Sequence, residues 1–117
     1  MGGLREIIQG FDAGSSVRGA AIISEDGLVI HNALDALADG DAVAALAVTT
    51  MRHAEQFGSA GRCGPLRTAV LDFGEGPAIL TSLSSTATLV VLAHPGRDLG
   101  PLLYEIRTRR SSLTGLL

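Results

Sequence analysis

The chain has 117 residues, of which 46% are apolar and only 3% are aromatic, and its formal net charge is −3. This length predicts one domain over residues 1–117, and the apolar content is too high for a disordered chain. The acidic balance excludes a general nucleic-acid binder, and no stretch approaches the roughly 18 consecutive apolar residues of a membrane span. Cys63 is the only cysteine, which excludes an internal disulfide and a cysteine-based zinc site, so a cytoplasmic protein is expected.

The first third of the chain predicts a short helix followed by a β-hairpin. The helix is indicated by apolar residues at helical spacing, namely Leu4, Ile7, Ile8 and Phe11. The stretch Arg18–Ser24 is apolar on both faces, which is typical of a strand in the centre of a sheet. The turn at Glu25–Gly27 then leads into a return strand over Leu28–Asn32.

The second predicted helix is the most informative stretch of the sequence. It begins at Asp39 or Asp41, whose side chains can cap the first backbone N–H groups, and it ends at Phe57. Eight of the ten residues in 42–51 are apolar, and they do not fall on one side of the helix. The side expected to pack on the sheet contains Val43, Leu46, Ala47, Thr50 and Phe57. A chain this small cannot also cover the opposite apolar side, so a second copy of the chain or a partner protein is predicted to cover it.

The second half of the chain predicts three strands and a final helix. The strands are expected at Leu66–Phe73, Ala78–Leu83 and Thr86–His94, and the short turns between them predict antiparallel pairing. The last of them is apolar on both faces and is a second candidate for a central strand. Pro101 fits the first turn of a helix whose apolar side extends to Leu113. The element order is therefore α-β-β-α-β-β-β-α. This order predicts a mixed α/β (α+β) fold with a five-stranded, mostly antiparallel sheet and helices on both faces.

This order of elements, with these residues, resembles the Roadblock/LC7 family, which shares its architecture with profilin and longin domains. One carrying segment is the hairpin VRGAAIISEDGLVIHN at 17–32, in which an Arg-Gly-Ala strand precedes an acidic-Asp-Gly turn. The others are the apolar helix DAVAALAVTTMRHAEQF at 41–57, the three strands of 66–94 and the leucine-rich final helix. The resemblance covers almost the whole chain.

The resemblance implies a homodimer, or a heterodimer with a related chain, in which two sheets join edge to edge and the second helices lie side by side. It implies a non-catalytic subunit, with no cofactor, that binds or regulates a Ras-like small GTPase. Some members are GTPase-activating proteins, some are scaffolds, and bacterial members are often paired with a GTPase of motility or polarity switches. The dimer and partner interface is then expected at or near Ala45, Val48, Thr49, Arg52 and Gln56.

The polar residues predict no catalytic, cofactor or metal site, and the chain is not expected to be an enzyme. The three histidines lack the short spacing of a zinc site, and no G-x-S-x-G nucleophile elbow occurs. Asp35, Asp39 and Asp41 are interpreted as helix-capping residues, because no glycine-centred calcium loop surrounds them. Arg52 is the best-placed candidate for an arginine finger. The alternative function is a small-ligand sensor, which would need an apolar pocket between the sheet and the helix.

Overall fold

A five-stranded antiparallel sheet forms the centre of the computed structural model, which describes residues 3–117. The helices are α1 (Leu4–Gln9), α2 (Gly40–Ala60), α3 (Gly100–Thr108) and α4 (Arg110–Thr114). The strands are β1 (Val17–Ser24), β2 (Val29–Ala33), β3 (Thr68–Phe73), β4 (Gly76–Ser84) and β5 (Ala87–Ala93). The predicted α/β class and five-stranded sheet are confirmed. The single domain over residues 1–117 stays a prediction, and its first two residues lie outside the described residues.

The strand order is β2-β1-β5-β4-β3, and each neighbouring pair is antiparallel. Strand β5 therefore occupies the centre, and β1, which the sequence predicts to be central, lies one position from the edge. Both strands are buried on both faces, as their apolar sequences require. The edges of the sheet are β2 and β3, which are more polar and more exposed.

The two faces of the sheet are covered differently. Helix α2 lies on one face, where Ala44, Ala47 and Met51 pack on side chains of β1, β4 and β5. Helices α1, α3 and α4 lie on the other face, where they enclose a larger core that includes the fully buried Leu102 and Leu113. The prediction of helices on both faces is thus confirmed.

Helix α2 begins as predicted but is longer. Asp39 caps it, with its Oδ1 accepting a hydrogen bond from the N–H of Ala42 at 3.2 Å. The helix passes through Gly58 and ends at Ala60, three residues beyond the predicted end at Phe57. The chain after α2 folds back over Gly58, whose carbonyl accepts a hydrogen bond from the N–H of Cys63 at 2.8 Å.

The last helix is divided, whereas the sequence predicts a single one. The break falls at Arg109, whose backbone angles of φ −103° and ψ 20° are not helical. On the preceding turn, the Thr108 hydroxyl donates to the carbonyl of Glu105, a competing interaction that is typical of threonine near a helix end. The break turns α4 so that Leu113 becomes fully buried.

Candidate interaction surface

The side of α2 that faces away from the sheet carries exposed apolar residues. Two of them were expected to pack on the sheet. Leu46 and Phe57 were expected to pack on the sheet, but 64% of Leu46 and 82% of Phe57 is exposed. Ala44, which was not expected to face the sheet, packs on it and is fully buried. We use the term α2 outer face for the exposed residues Ala45, Leu46, Thr49, Arg52, His53, Gln56 and Phe57.

The β1–β2 turn lies close to α2. A Cβ atom built on Gly27, which has φ +81°, would lie 3.4 Å from the Cα of Ala45. The backbone of the turn and that of the helix therefore approach each other at two positions with little or no side chain. Ala44, Ala47 and Met51 form the side of α2 that packs on the sheet. A helical wheel alone does not identify this side, because most positions on it are apolar.

Four of the five residues predicted for the dimer and partner interface lie on the α2 outer face. Ala45, Thr49, Arg52 and Gln56 are exposed, and the hydroxyl of Thr49 donates to the carbonyl of Ala45 at 3.3 Å. Val48 differs, because it is half-buried and packs against the core beneath α2. The structure thus brings these residues together on one flank of the helix, and their role in an interface stays a prediction.

The open edge of β3 is the second element of the surface. Its six residues pair with β4 in unbroken register, and its other edge has no partner strand within residues 3–117. Val70 and Phe73 are both exposed on this strand. A regular edge with apolar side chains is a ready template for pairing with another strand. Leu66, which leads into β3, lies beside Glu55 and Ser59 of α2, so the edge and the helix belong to one region.

The aspartates before α2 have structural partners. Asp35 forms an ion pair with Arg18 of β1, with 2.8 Å between Oδ2 and Nη1. Desolvation opposes the charged form of Asp35, but the hydrogen bond and charge of Arg18 and two backbone N–H groups of the next turn outweigh it. The pKa of Asp35 therefore lies below its ordinary value. These contacts hold the loop that leads into α2 against the sheet.

The histidines and acidic residues of the described chain are not gathered in one place. Among residues 3–117, no cluster of three or more His, Cys, Asp or Glu side chains could hold a metal ion. His31 is engaged in a 2.9 Å hydrogen bond between its Nε2 and the carbonyl of Leu116. His53 and His94 are exposed on separate elements, α2 and the end of β5. In the described part of the chain, no helix has the length and apolar content to cross a membrane.

The space between α2 and the sheet is filled by side chains. Ala21, Ile23, Leu80 and Val90 of the strands are buried directly beneath the helix. The cavity near this helix is an open groove of about 570 Å³ along its Val48–Glu55 flank, beside the β4–β5 turn. Dense packing of this kind leaves no room between helix and sheet for the apolar pocket that a ligand sensor needs.

Sequence reasoning missed the buried carboxylate of Glu105. It lies on α3 and accepts hydrogen bonds from the backbone N–H groups of Asp12 at 2.7 Å and Ala13 at 2.6 Å. Arg109 approaches the same carboxylate at 3.8 Å and lies over the ring of Phe11. Glu105 thus fastens the segment between α1 and β1 to α3. Its position amid apolar residues of α3 was a signal, since a carboxylate on a buried helix face needs partners.

An antiparallel sheet of this order, with one long helix on one face and three shorter helices on the other, defines a mixed α/β domain of profilin-like architecture. Acanthamoeba castellanii profilin II has a similar fold, with 18% identity, 93% of this chain and 94% of the other covered, and a TM-score of 0.63.

The family is narrower than this architecture. The Roadblock/LC7 domain model matches residues 4–93, so the chain belongs to the Roadblock/LC7 domain family. A Roadblock/LC7 domain from Streptomyces avermitilis is 26% identical, with 93% of this chain and 89% of the other covered and a TM-score of 0.76. Myxococcus xanthus MglB is 15% identical, with 89% and 86% covered and a TM-score of 0.78. None of the curated proteins matches the chain.

Proposed function

We propose that the chain is a dimeric, non-catalytic regulator or scaffold of a Ras-like small GTPase. The observation that carries the proposal is the α2 outer face, on which Leu46 and Phe57 are exposed next to four of the five predicted interface residues. Large apolar side chains grouped on one exposed face are typical of a surface that another protein covers. Membership of the Roadblock/LC7 family supports the choice of partner.

The dimer is proposed to form through the β3 edge and the α2 outer face together. Pairing two β3 strands antiparallel would extend the sheet and satisfy the unpaired backbone groups of both edges. It would also bring the two α2 helices side by side, where exposed Ala45 and Thr49 are small enough for close approach. The GTPase would then bind on the α2 side of the joined sheet, near Arg52 and Gln56.

The first test is the solution mass of the full chain by light scattering over a range of concentrations. The wild-type chain is expected to be a dimer, and Phe57→Glu and Thr49→Glu are expected to shift it toward the monomer. The matched control is Leu37→Glu, because Leu37 is 92% exposed but lies in the loop before α2. A wild-type chain that is a folded monomer at all concentrations would refute the dimer.

Val48→Asp is a less informative variant for this purpose. Val48 packs against the core beneath α2, so a carboxylate there would destabilise the monomer as well as any dimer. Thr49 is exposed and donates only to a carbonyl of its own helix. Its replacement therefore separates loss of association from loss of folding.

The second test concerns the partner. Purified Ras-like GTPases, loaded with GDP or a non-hydrolysable GTP analogue, are titrated with the chain, and GTP hydrolysis is followed in parallel. Binding that Thr49→Glu weakens is expected for at least one GTPase. If Arg52→Gln lowers a stimulated hydrolysis rate without weakening binding, Arg52 acts on the transferred phosphoryl group. A dimeric chain that binds no Ras-like GTPase in either nucleotide state would contradict the proposed function.

A further inference from the structure

A groove on the face of the sheet opposite α2 has features that the proposed function does not use. It runs between β3 and the helix α3, has a volume of about 640 Å³, and has Val70, Leu103 and Ile106 among its apolar lining residues. Val70 is 45% exposed and Leu103 is half-buried, whereas Ile106 is buried, so the apolar lining is open to solvent mainly at Val70. This open shape differs from the enclosed pockets that bury most of a small ligand.

Three of the nine basic residues of the chain surround this groove. Arg67 lies on the β3 side, and Arg107 and Arg110 lie on the α3 side. No carboxylate lines the groove, although the chain has 12 acidic residues and a net charge of −3. Within residues 3–117, none of these three arginines forms a salt bridge, the pairs present being Arg18–Asp35 and Arg109–Glu105. The groove is therefore a locally cationic surface on an acidic protein.

Because the last helix breaks at Arg109, the three arginines of residues 107–110 do not all lie on the same side of it. Arg107 follows Leu103 by four residues and lies on the same side of the helix, above the groove. Arg109, at the break, is directed instead to Glu105 and Phe11 on the other side. Arg110 begins α4 and is held in place by a hydrogen bond from its Nη2 to the carbonyl of Leu83 at 2.8 Å. Two arginines of this segment therefore line the groove, while the third, half-exposed Arg109, pairs with Glu105 outside it.

We propose that this arginine groove binds an acidic amphipathic helix of a partner protein. Aliphatic residues at helical spacing would cover exposed Val70 and half-buried Leu103, and carboxylates on the flanks would pair with arginines on both walls. Arginine presents several N–H donors in a fixed plane, which suits carboxylates that approach from either flank. The groove lies on the face opposite α2, so this contact is independent of the proposed GTPase contact, and the two can be occupied together.

The test uses the full chain and a synthetic peptide of known chemistry. The probe is a fluorescein-labelled amphipathic peptide of about 16 residues, roughly 24 Å long as a helix, with leucines on one side and glutamates on the flanks. A matched peptide carries glutamine in place of every glutamate. Binding is measured by fluorescence anisotropy to the wild type, to Arg67→Gln/Arg107→Gln, and to Arg5→Gln, which removes an exposed arginine of α1 that does not line the groove. Circular dichroism verifies that each variant is folded.

The glutamate peptide is expected to bind the wild type and Arg5→Gln equally, and the double variant about tenfold more weakly, since two exposed charge pairs are lost. The glutamine peptide is expected to bind the wild type no more tightly than the glutamate peptide binds the double variant. Three outcomes would overturn the proposal: no saturable binding of the glutamate peptide, equal binding by the double variant, or an equal loss in Arg5→Gln. Vesicles of phosphatidylserine serve as a further probe. If the double variant loses vesicle binding but keeps peptide binding, the groove faces a membrane and the proposal is wrong.

Discussion

The two faces of the sheet are built from similar strand residues but are completed in different ways. On one face, α1, α3 and α4 enclose the strands, and Leu102 and Leu113 of these helices are fully buried. On the other face, α2 alone covers the strands, and its outer side leaves Leu46 and Phe57 in solvent. The first face is closed by the chain itself except for the groove between β3 and α3, whereas the second presents large apolar side chains that another molecule can cover. We refer to them as the closed face and the open face.

The two edges of the sheet also differ, because one is protected from pairing with another strand and the other is open. The β2 edge is short and irregular, with a register shift between Ile22 and Ile23 of its neighbour, and His31 ties it to the end of the chain. The β3 edge is regular along all six residues. A bulge and a covering segment are ways in which proteins protect an edge from pairing. Their absence from β3 makes this edge the one that is suited to association.

The largest expected effect comes from the closed face. Leu102→Ala removes a fully buried side chain and leaves a cavity, and it is expected to lower the free energy of unfolding by about 3 kcal/mol in urea titrations. Leu46→Ala, on the open face, is the control, and it is expected to change the same quantity in the monomer by less than about 0.5 kcal/mol. If the two variants lower the free energy of unfolding equally, the two faces do not differ in how much their helices contribute to stability.

The second prediction concerns the carboxylate that fastens the closed face. Glu105→Gln keeps the shape of the side chain but takes away the charge that accepts from two backbone N–H groups. A loss of about 1.5 kcal/mol in unfolding free energy is expected, because one buried donor is left without a full partner. Glu75→Gln, in the exposed turn before β4, should leave the unfolding curve unchanged. If both variants unfold alike, the Glu105 contacts contribute no stability.

The third prediction compares the edges. Phe73 on β3 and Leu28 just before β2 are exposed to a similar extent and both lie beside a turn. Phe73→Lys places a charge on the edge that is proposed to pair, and it is expected to weaken self-association about tenfold in sedimentation equilibrium. Leu28→Lys is expected to leave self-association as it is. The reverse pattern would move the interface to the β2 edge.

The smallest expected effect is a pH dependence of the loop that positions α2. Asp35 has a lowered pKa in the folded chain, so its ion pair with Arg18 adds stability at pH values above about 3.9, the pKa expected in the unfolded chain. This contribution is lost as the pH falls through the lower folded pKa. Asp35→Asn should therefore be less stable than the wild type at neutral pH, with the difference declining in acid. A difference that stays constant down to pH 2 would show that the charge of Asp35 does not contribute.

Much of the fold follows from local patterns. The doubly apolar stretches that became β1 and β5 are interior strands, because only a strand covered on both faces tolerates such a sequence. Asp39 starts α2 as expected, because its carboxylate satisfies a backbone donor at the helix end. Four of the five interface residues proposed from the sequence are exposed on one flank of α2, but Val48 is half-buried, and Leu46 and Phe57 were assigned to the wrong side.

The sequence by itself determined the elements, their order and an excess of apolar surface on α2, since these depend on residue type and spacing along the chain. Only the tertiary structure decided which side of α2 is buried, where the last helix breaks, and that two arginines of one short segment border a groove while a third pairs with Glu105. The structure brings together residues that are distant in sequence: Gly27 lies close to Ala45, Glu105 accepts from the N–H groups of Asp12 and Ala13, and Arg110 donates to the carbonyl of Leu83. Such contacts have no periodic signature, because the free energy that selects them arises when separate elements pack together.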